Sequence, residues 1–169
     1  MGTAVHKFAE WAATDISKAM QNFDAWPKDD YPFLYDVTGY LTAIKKFFQE
    51  NQRFRRVLIP EVQICLPEHK IAGTVDLLGG TGNRPFILDW KTSKSIDFIS
   101  SRHMKAPVSD LYDSNFNQYA LQLSMYAHIL NTRYNVPKMD LMIVWLNGRG
   151  GYTIYEILEL KEHVHDILG

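Results

Sequence analysis

A glycine-rich turn between two apolar runs is the feature that most constrains the fold. The turn is Gly79-Gly80-Thr81-Gly82-Asn83-Arg84, and the apolar runs are residues 71–78 and 84–92. Glycine and asparagine tolerate the positive φ angles that tight hairpin turns require. Runs of this length, rich in β-branched and aromatic residues, are typical of strands. The sequence therefore predicts that the two runs pair as an antiparallel hairpin.

Two acidic residues and a lysine stand where the hairpin strands end. Successive side chains of a strand point to opposite faces, so Asp89 and Lys91 share one face. If the turn centres between residues 82 and 83, Asp76 lies opposite Asp89, with Cβ atoms about 4.5–5.5 Å apart. Two carboxylates at that separation can hold one hard cation. The residues therefore indicate a metal site, and the alternative on these residues alone is a pair of solvated carboxylates at the hairpin rim.

Four motifs follow one another along the chain. They are Gly2-Thr3-Ala4-Val5-His6-Lys7-Phe8-Ala9-Glu10, Gly73-Thr74-Val75-Asp76, Asp89-Trp90-Lys91 and Gln122-Leu123-Ser124-Met125-Tyr126. This order resembles the RecB-like branch of the PD-(D/E)XK nucleases, which is typified by a GxxxHxxxE helix, a GxxD strand end, a DxK strand and a QxxxY helix. The motifs span residues 2–126, about three quarters of the sequence.

The resemblance implies a site for a divalent metal ion, Mg²⁺ or Mn²⁺. The implied ligands are His6, Asp76, Asp89 and the backbone carbonyl of Trp90, and the implied catalytic residues are Asp76, Asp89 and Lys91. An imidazole ligand favours tolerance of Mn²⁺. The same site is therefore expected to hold the metal and to carry out the chemistry.

Two glutamates are expected to support this site. Glu10 lies one helical turn from His6 and can orient it, or it is an ordinary solvated helix carboxylate. Glu61 stands among apolar residues of a predicted strand, where a buried carboxylate needs a cation or a metal-bound water. Both glutamates are therefore supporting candidates rather than metal ligands.

The candidate DNA-binding residues fall into three groups. Gln118, Gln122 and Tyr126 share one face of a predicted helix at residues 116–134. The others lie in two further places, which are the long connection at residues 92–115 (Lys94, Arg102) and the basic cluster near the end of a predicted helix at residues 37–52 (Lys45, Arg53). Such a connection is either a binding loop or a surface insertion without a role, and such a cluster is either a phosphate track or a solvated helix end.

The resemblance also implies an activity. We expect a metal-dependent deoxyribonuclease, an exonuclease acting on single-stranded DNA or DNA ends in replication, recombination or repair. The alternatives are a flap or branched-DNA endonuclease and a nucleic-acid-binding module of the same fold that does not cleave. The expected partner is DNA, with a helicase, recombinase or single-strand-binding protein as candidate protein partners, since the chain has no Walker P-loop of its own.

Composition limits the class of protein. The chain has 169 residues with 46% hydrophobic content, which fits one domain over residues 1–169. Its 18 basic and 19 acidic residues give no overall basic field, so DNA binding would need a local basic track. Cys65 is the single cysteine, which excludes the cysteine-bound iron–sulfur cluster of some RecB-like nucleases. No leader or membrane-length apolar run appears, so we expect a cytoplasmic protein, or a virus-encoded one acting in the host cell.

The periodicity of the remaining chain completes the fold prediction. The predicted fold is α/β and restriction-endonuclease-like, with a central mixed sheet of about five strands flanked by helices in the order αβββαββ. The additional helices are predicted at residues 3–22 and, after the last strand, as a short helix through residue 167. The additional strands are predicted at residues 56–66, 141–146 and 152–158. In the strand at residues 56–66, Leu58, Val62, Ile64 and Leu66 are expected to share one face.

Overall fold

The computed structural model describes residues 2–14, 37–55, 57–81 and 84–169. The helices are α1 (Gly2–Thr14), α2 (Thr38–Glu50), α3 (Asn115–Tyr134) and α4 (Lys161–Leu168), and a short 3₁₀ turn at Gln52–Arg55 follows α2. The strands are β1 (Val57–Leu66), β2 (Ile71–Thr81), β3 (Arg84–Lys91), β4 (Asp140–Leu146) and β5 (Tyr152–Ile157). Among the described helices, none combines the length and the apolar character needed to cross a bilayer.

The strands form one open mixed sheet in the order β1-β2-β3-β4-β5. Neighbouring strands are antiparallel except β3 and β4, which are parallel. Parallel neighbours need a long crossover connection, and here α3 lies within it. The predicted mixed sheet of about five strands flanked by helices is therefore confirmed.

Helices cover both faces of this sheet. α1 and α2 pack on one face, and α3 and α4 pack on the other. β3 serves both layers because its side chains alternate: Phe86, Leu88 and Trp90 join the α1–α2 side, whereas Ile87 joins the α3–α4 side. The fully buried Phe47 of α2 meets Trp90 edge-on, with ring centroids 5.1 Å apart. Burying each large apolar side chain contributes about 1.5–3 kcal/mol, so the end of β3 is firmly held.

Helix bounds follow local sequence signals. In α1, Val5, Phe8, Ala9 and Ala12 are buried at helical spacing, and the described helix ends at Thr14. The remainder of the predicted helix at residues 3–22 lies outside the described residues. α3 begins after Ser114, whose hydroxyl oxygen accepts a hydrogen bond from the backbone N–H of Asn117, and its predicted span of residues 116–134 is confirmed.

One strand departs from the predicted alternation. Leu58 packs on the α1–α2 side of the sheet, whereas Val62, Ile64 and Leu66 pack on the α3–α4 side. Between them Glu61 has a φ of 53°, in the left-handed region that side chains other than glycine rarely adopt. This residue reverses the direction of the side chains that follow it, so the expectation that all four apolar residues share one face was wrong.

Candidate metal centre

The β2–β3 hairpin has the register that the turn predicted. Its paired residues run from Thr81 and Arg84 to Leu77 and Leu88, so Asp76 and Asp89 occupy the next positions along the two strands. The backbone ladder stops there. Instead, the backbone N–H of Trp90 donates a hydrogen bond of 2.8 Å to Asp76 Oδ2. The carboxylate of Asp76 therefore lies between the two strands where they separate.

The backbone pairing of β2 and β3 ends at the same level of the sheet where the side chains of β1 and β2 change from one sheet face to the other. Val75 packs on the α3–α4 side and Leu77 on the α1–α2 side, although regular alternation would place both on one side. Asp76 stands between them, and the flanking pairs place it across from Glu61, because Pro60 pairs with Leu77 and Val62 with Val75. This break in the alternation therefore brings the carboxylates of Glu61 and Asp76 together on neighbouring strands.

His6 reaches this point from α1. Its Nε2 lies 3.2 Å from the Trp90 carbonyl oxygen, and its Nδ1 lies 3.6 Å from Asp76 Oδ1. A carbonyl oxygen only accepts, so Nε2 carries the proton of that hydrogen bond. In a neutral ring Nδ1 is then an acceptor that faces a carboxylate oxygen. A proton or a cation between these two atoms would remove the conflict.

His6, Glu61 and Asp76 form the group of described residues best suited to hold a metal ion. Each offers one ligand atom, and these atoms all lie within 4.8 Å of one another. Glu61 thus stands beside His6 and Asp76, whereas its sequence indicated a supporting role only. One imidazole and two carboxylates, with a backbone carbonyl adjacent, suit Mn²⁺ and Mg²⁺ better than soft metals.

Asp89 forms an ion pair with Lys91 and does not join the three ligand candidates. Its side chain is almost fully buried, and its Oδ2 lies 2.6 Å from Lys91 Nζ. The Lys91 ammonium compensates this oxygen, which has no further partner among the described residues. Asp89 therefore lies outside the group of three ligand atoms in this structure.

Lys91 is held from several sides. Besides Asp89, its ammonium donates a hydrogen bond of 3.3 Å to Gln122 Oε1 and lies 4.3 Å from the centroid of the Tyr119 ring. Gln122 in turn donates from Nε2 to the Tyr126 hydroxyl at 2.9 Å. The motif residues Gln122 and Tyr126 thus connect α3 to the lysine at the end of β3.

The two aspartates have raised pKa values. Burial, followed by the charge of Asp89, raises the pKa of Asp76 from 3.8 to about 7, although His6, the Trp90 N–H and Lys91 act in the opposite direction. Burial also raises the pKa of Asp89, against the lowering effect of Lys91. The nearby positive charges therefore do not offset the cost of burying the two ionised carboxylates. A divalent cation would supply the missing positive charge, so the donor set of His6, Glu61 and Asp76 fits a metal ion.

The other predicted site residues lie at varied positions. The carboxylate of Glu10 contacts the Lys7 ammonium at 2.6 Å. Gln118 is exposed and donates to Asp113 Oδ1 at 2.8 Å. Lys94 and Arg102 are exposed in the connection between β3 and α3. These residues lie on α1, on α3 and on the segment that leaves β3, and the side chains of Glu10 and Gln118 contact residues other than the three ligand candidates.

Two basic candidates lie elsewhere. Arg53 lines a groove together with Arg84, and Arg84 begins β3 while Lys91 ends it. Seven residues of strand span about 23 Å, so the structure does not bring Arg53 to the metal centre. Lys45 lies on α2, which covers the sheet face opposite α3.

Tyr119 was missed by sequence reasoning. It lies three residues before Gln122, and residues at this spacing are neighbours on a helix surface. An aromatic ring at that position could therefore have been proposed as a neighbour of whatever Gln122 contacts. Its ring faces the Lys91 ammonium and adds a cation–π contact.

Comparisons with known proteins bring no assignment. No family model matches the chain, and no curated protein matches it. The side chains that meet at the end of the β2–β3 hairpin are consequently the basis for proposing a function.

Proposed function

We propose that this protein is a divalent-metal-dependent phosphodiester hydrolase. The observation that carries the proposal is the convergence of the His6, Glu61 and Asp76 side chains beside the Asp89–Lys91 ion pair. Metal ligands next to a partly buried lysine are an arrangement suited to hydrolysis of a charged ester. Burying several charges together is costly and adds little stability, so stability alone does not account for this arrangement.

More particularly, we propose a DNA nuclease of the RecB-like branch of the PD-(D/E)XK nucleases, with the restriction-endonuclease-like fold. We infer an exonuclease that acts on single-stranded DNA or DNA ends. The order of the four motifs supports this proposal, as does the contact between the lysine of the DxK motif and the glutamine of the QxxxY motif. The five-stranded mixed sheet is compatible with it.

The ligand residues have defined tasks in this proposal. His6, Glu61 and Asp76 would hold Mg²⁺ or Mn²⁺, with the Trp90 carbonyl adjacent, and Asp89 is the further carboxylate close by. When bound, such an ion lowers the pKa of a water molecule and offsets charge on the phosphoryl oxygens. The Trp90 N–H fixes Asp76 by its hydrogen bond of 2.8 Å. The ligand carboxylate is thus positioned before any cation binds.

Lys91 is the proposed catalytic cation. Its compact ammonium is held by the Asp89 carboxylate, the Gln122 amide oxygen and the Tyr119 ring. These contacts restrict an otherwise flexible side chain, so little conformational entropy remains to be lost when the transition state forms. Held in this way, Lys91 can orient the attacking water or stabilise negative charge that develops on the phosphoryl group.

Digestion of end-labelled linear and circular single-stranded DNA tests the proposal. We expect cleavage in Mg²⁺ or Mn²⁺, none in EDTA, and a loss of about 10²–10³-fold in rate for Lys91→Ala. Lys138→Ala is the matched control, because Lys138 is an exposed lysine just before β4, and it should cleave like the wild type. Absence of cleavage in either metal, or unchanged activity of Lys91→Ala, would contradict the proposal. Cleavage of the circle would favour the endonuclease alternative.

A further inference from the structure

The connection between β3 and α3 forms a second pocket, which we name the loop pocket. It has a volume of 550 Å³ and is lined by Arg102, His103, Met104, Lys105, Asp113, Gln118 and Leu121. We propose that the loop pocket binds a backbone phosphate of a nucleic-acid strand whose neighbouring phosphate lies at the metal centre. This inference rests on the proposed function and adds the path of the substrate strand.

The wall of the loop pocket is an ordered frame. Residues 102–113 fold back on themselves, with the Met104 N–H donating to the Leu111 carbonyl at 2.9 Å and the Asp113 N–H donating to the Arg102 carbonyl at 2.8 Å. Val108 at the tip is buried. Asp110 accepts a hydrogen bond of 2.8 Å from His163 of α4. The cations on this segment therefore project from a defined backbone.

The charge of the loop pocket suits an anion. Arg102 and Lys105 are exposed, and within the described part of the chain neither side chain has an ion-pair partner. The carboxylate in the lining is Asp113, and one of its oxygens already accepts from Gln118. A guanidinium presents paired N–H donors that match phosphate oxygens. Because Arg102 and Lys105 outnumber the single carboxylate of Asp113, the lining of the loop pocket carries a net positive charge.

His103 adds a polar edge to the loop pocket. Its Nδ1 lies 3.1 Å from the Ser109 carbonyl oxygen, and since a carbonyl only accepts, Nδ1 is the donor. In a neutral ring Nε2 is then an acceptor, so the donors for a phosphate are those of Arg102 and Lys105 and not this imidazole. The ring also lies against Tyr112, with centroids 4.8 Å apart. This packing holds the imidazole in place.

The loop pocket adjoins the metal centre along α3. Gln118 lines the pocket, and Gln122, four residues further on, contacts Lys91. Four residues of helix rise about 6 Å, which is comparable to the spacing of adjacent phosphates along a single strand. A strand with one phosphate at Lys91 can therefore place the next phosphate at the loop pocket.

The larger groove elsewhere is a poorer candidate for this role. It measures 590 Å³ and has basic and acidic side chains in its lining (Arg53, Arg84, Lys138, Lys161, Asp140, Glu156, Glu159). Its Arg84 is paired with Asp140 at 2.6 Å. It also lies at the start of β3, about 23 Å from Lys91 by strand length. The groove nevertheless supplies exposed lysines for a matched control.

Salt-dependent binding of a fluorescent single-stranded oligonucleotide, measured in EDTA so that no cleavage occurs, tests the inference. Loss of one phosphate contact lowers the slope of log K against log salt by about 0.7 for single strands. Since the loop pocket is proposed to hold one phosphate, we expect Arg102→Gln/Lys105→Gln to lower the slope by about 0.7 and to weaken binding about tenfold at low salt. The control Lys138→Gln/Lys161→Gln removes the same charge and should leave the slope unchanged.

The outcomes separate this inference from the proposed function. An unchanged slope in Arg102→Gln/Lys105→Gln, or an equal fall in both double variants, overturns the loop pocket as a phosphate site. Loss of slope in a protein that never cleaves DNA leaves the loop pocket standing and refutes the nuclease proposal. The single variants Arg102→Gln and Lys105→Gln, each expected to lower the slope by part of the amount for both together, provide the same test if the double variant folds poorly in a melting experiment.

Discussion

Replacing Asp76 by asparagine should stabilise the metal-free protein at alkaline pH. Asparagine keeps the shape of the side chain and an oxygen that can accept the Trp90 N–H, but it carries no charge. The pKa of Asp76 rises from 3.8 to about 7 on folding, mainly by burial. The folded state therefore binds this proton more tightly than the unfolded state, and stability is lost as pH rises toward about 7.

The size of the effect follows from the shift in pKa. Each unit corresponds to 1.36 kcal/mol, so ionising Asp76 lowers the unfolding free energy by about 3 kcal/mol more at about pH 8 than at about pH 5. The advantage of Asp76→Asn should therefore grow by about 3 kcal/mol between these two pH values. For a chain of this size that corresponds to a rise of about 6–12 °C in Tm.

Urea unfolding in EDTA, at about pH 5 and about pH 8, measures this difference. The matched control is Asp166→Asn, an exposed aspartate of α4, whose difference from wild type should not change between the two pH values. Adding Mn²⁺ at about pH 8 should then stabilise the wild type by about 2.7 kcal/mol at a hundredfold excess over Kd, and Asp76→Asn much less. An Asp76→Asn advantage that is equal at both pH values would refute the argument that Asp76 is a buried, uncompensated carboxylate.

Three further predictions concern the surroundings of Asp76 and Lys91. Gly73→Ala should cost about 1–3 kcal/mol in urea unfolding, because its Cβ would lie 2.6 Å from the Tyr126 ring, whereas Gly80→Ala meets nothing within 4 Å. Glu61→Gln should weaken Mn²⁺ binding in calorimetry by about tenfold or more, since it removes one ligand charge; equal affinity would exclude it as a ligand. Gln122→Ala should lower kcat about tenfold with little change in KM, because it leaves Lys91 less well positioned; an effect on KM alone would indicate substrate binding instead.

The register of the β2–β3 hairpin was predictable because it depends on local chemistry. The glycines and Asn83 restrict where the turn can form, and the pairing of Thr81 with Arg84 then fixes the partners along both strands. The position of Asp76 next to Asp89 follows from counting. The contact between Lys91 and Gln122 depends instead on how α3 crosses the sheet, which local patterns do not specify.

The role of Glu61 was not predictable from periodicity. An alternating strand pattern assumes extended backbone at every residue, and Glu61 takes a φ of 53° that its side chain does not favour. Tertiary packing imposes this conformation, since Leu58 and Val62 must reach opposite layers of the molecule.

Glu61, with its strained backbone, is also a ligand candidate and lies where the side chains of β1 change from one sheet face to the other. There is a physical reason for this coincidence. In a regular sheet the backbone of β2 at residue 76 would pair with β3. Side chains along each strand would then alternate between the two faces without interruption. Here the ladder ends one pair earlier, and the Trp90 N–H finds the Asp76 carboxylate instead of a carbonyl. Backbone strain of about 1–3 kcal/mol persists only where the surroundings hold it. We infer that a Glu61→Gly variant, which relieves this strain, would fold readily and yet bind metal poorly, because the strain and the ligand reside in the same residue.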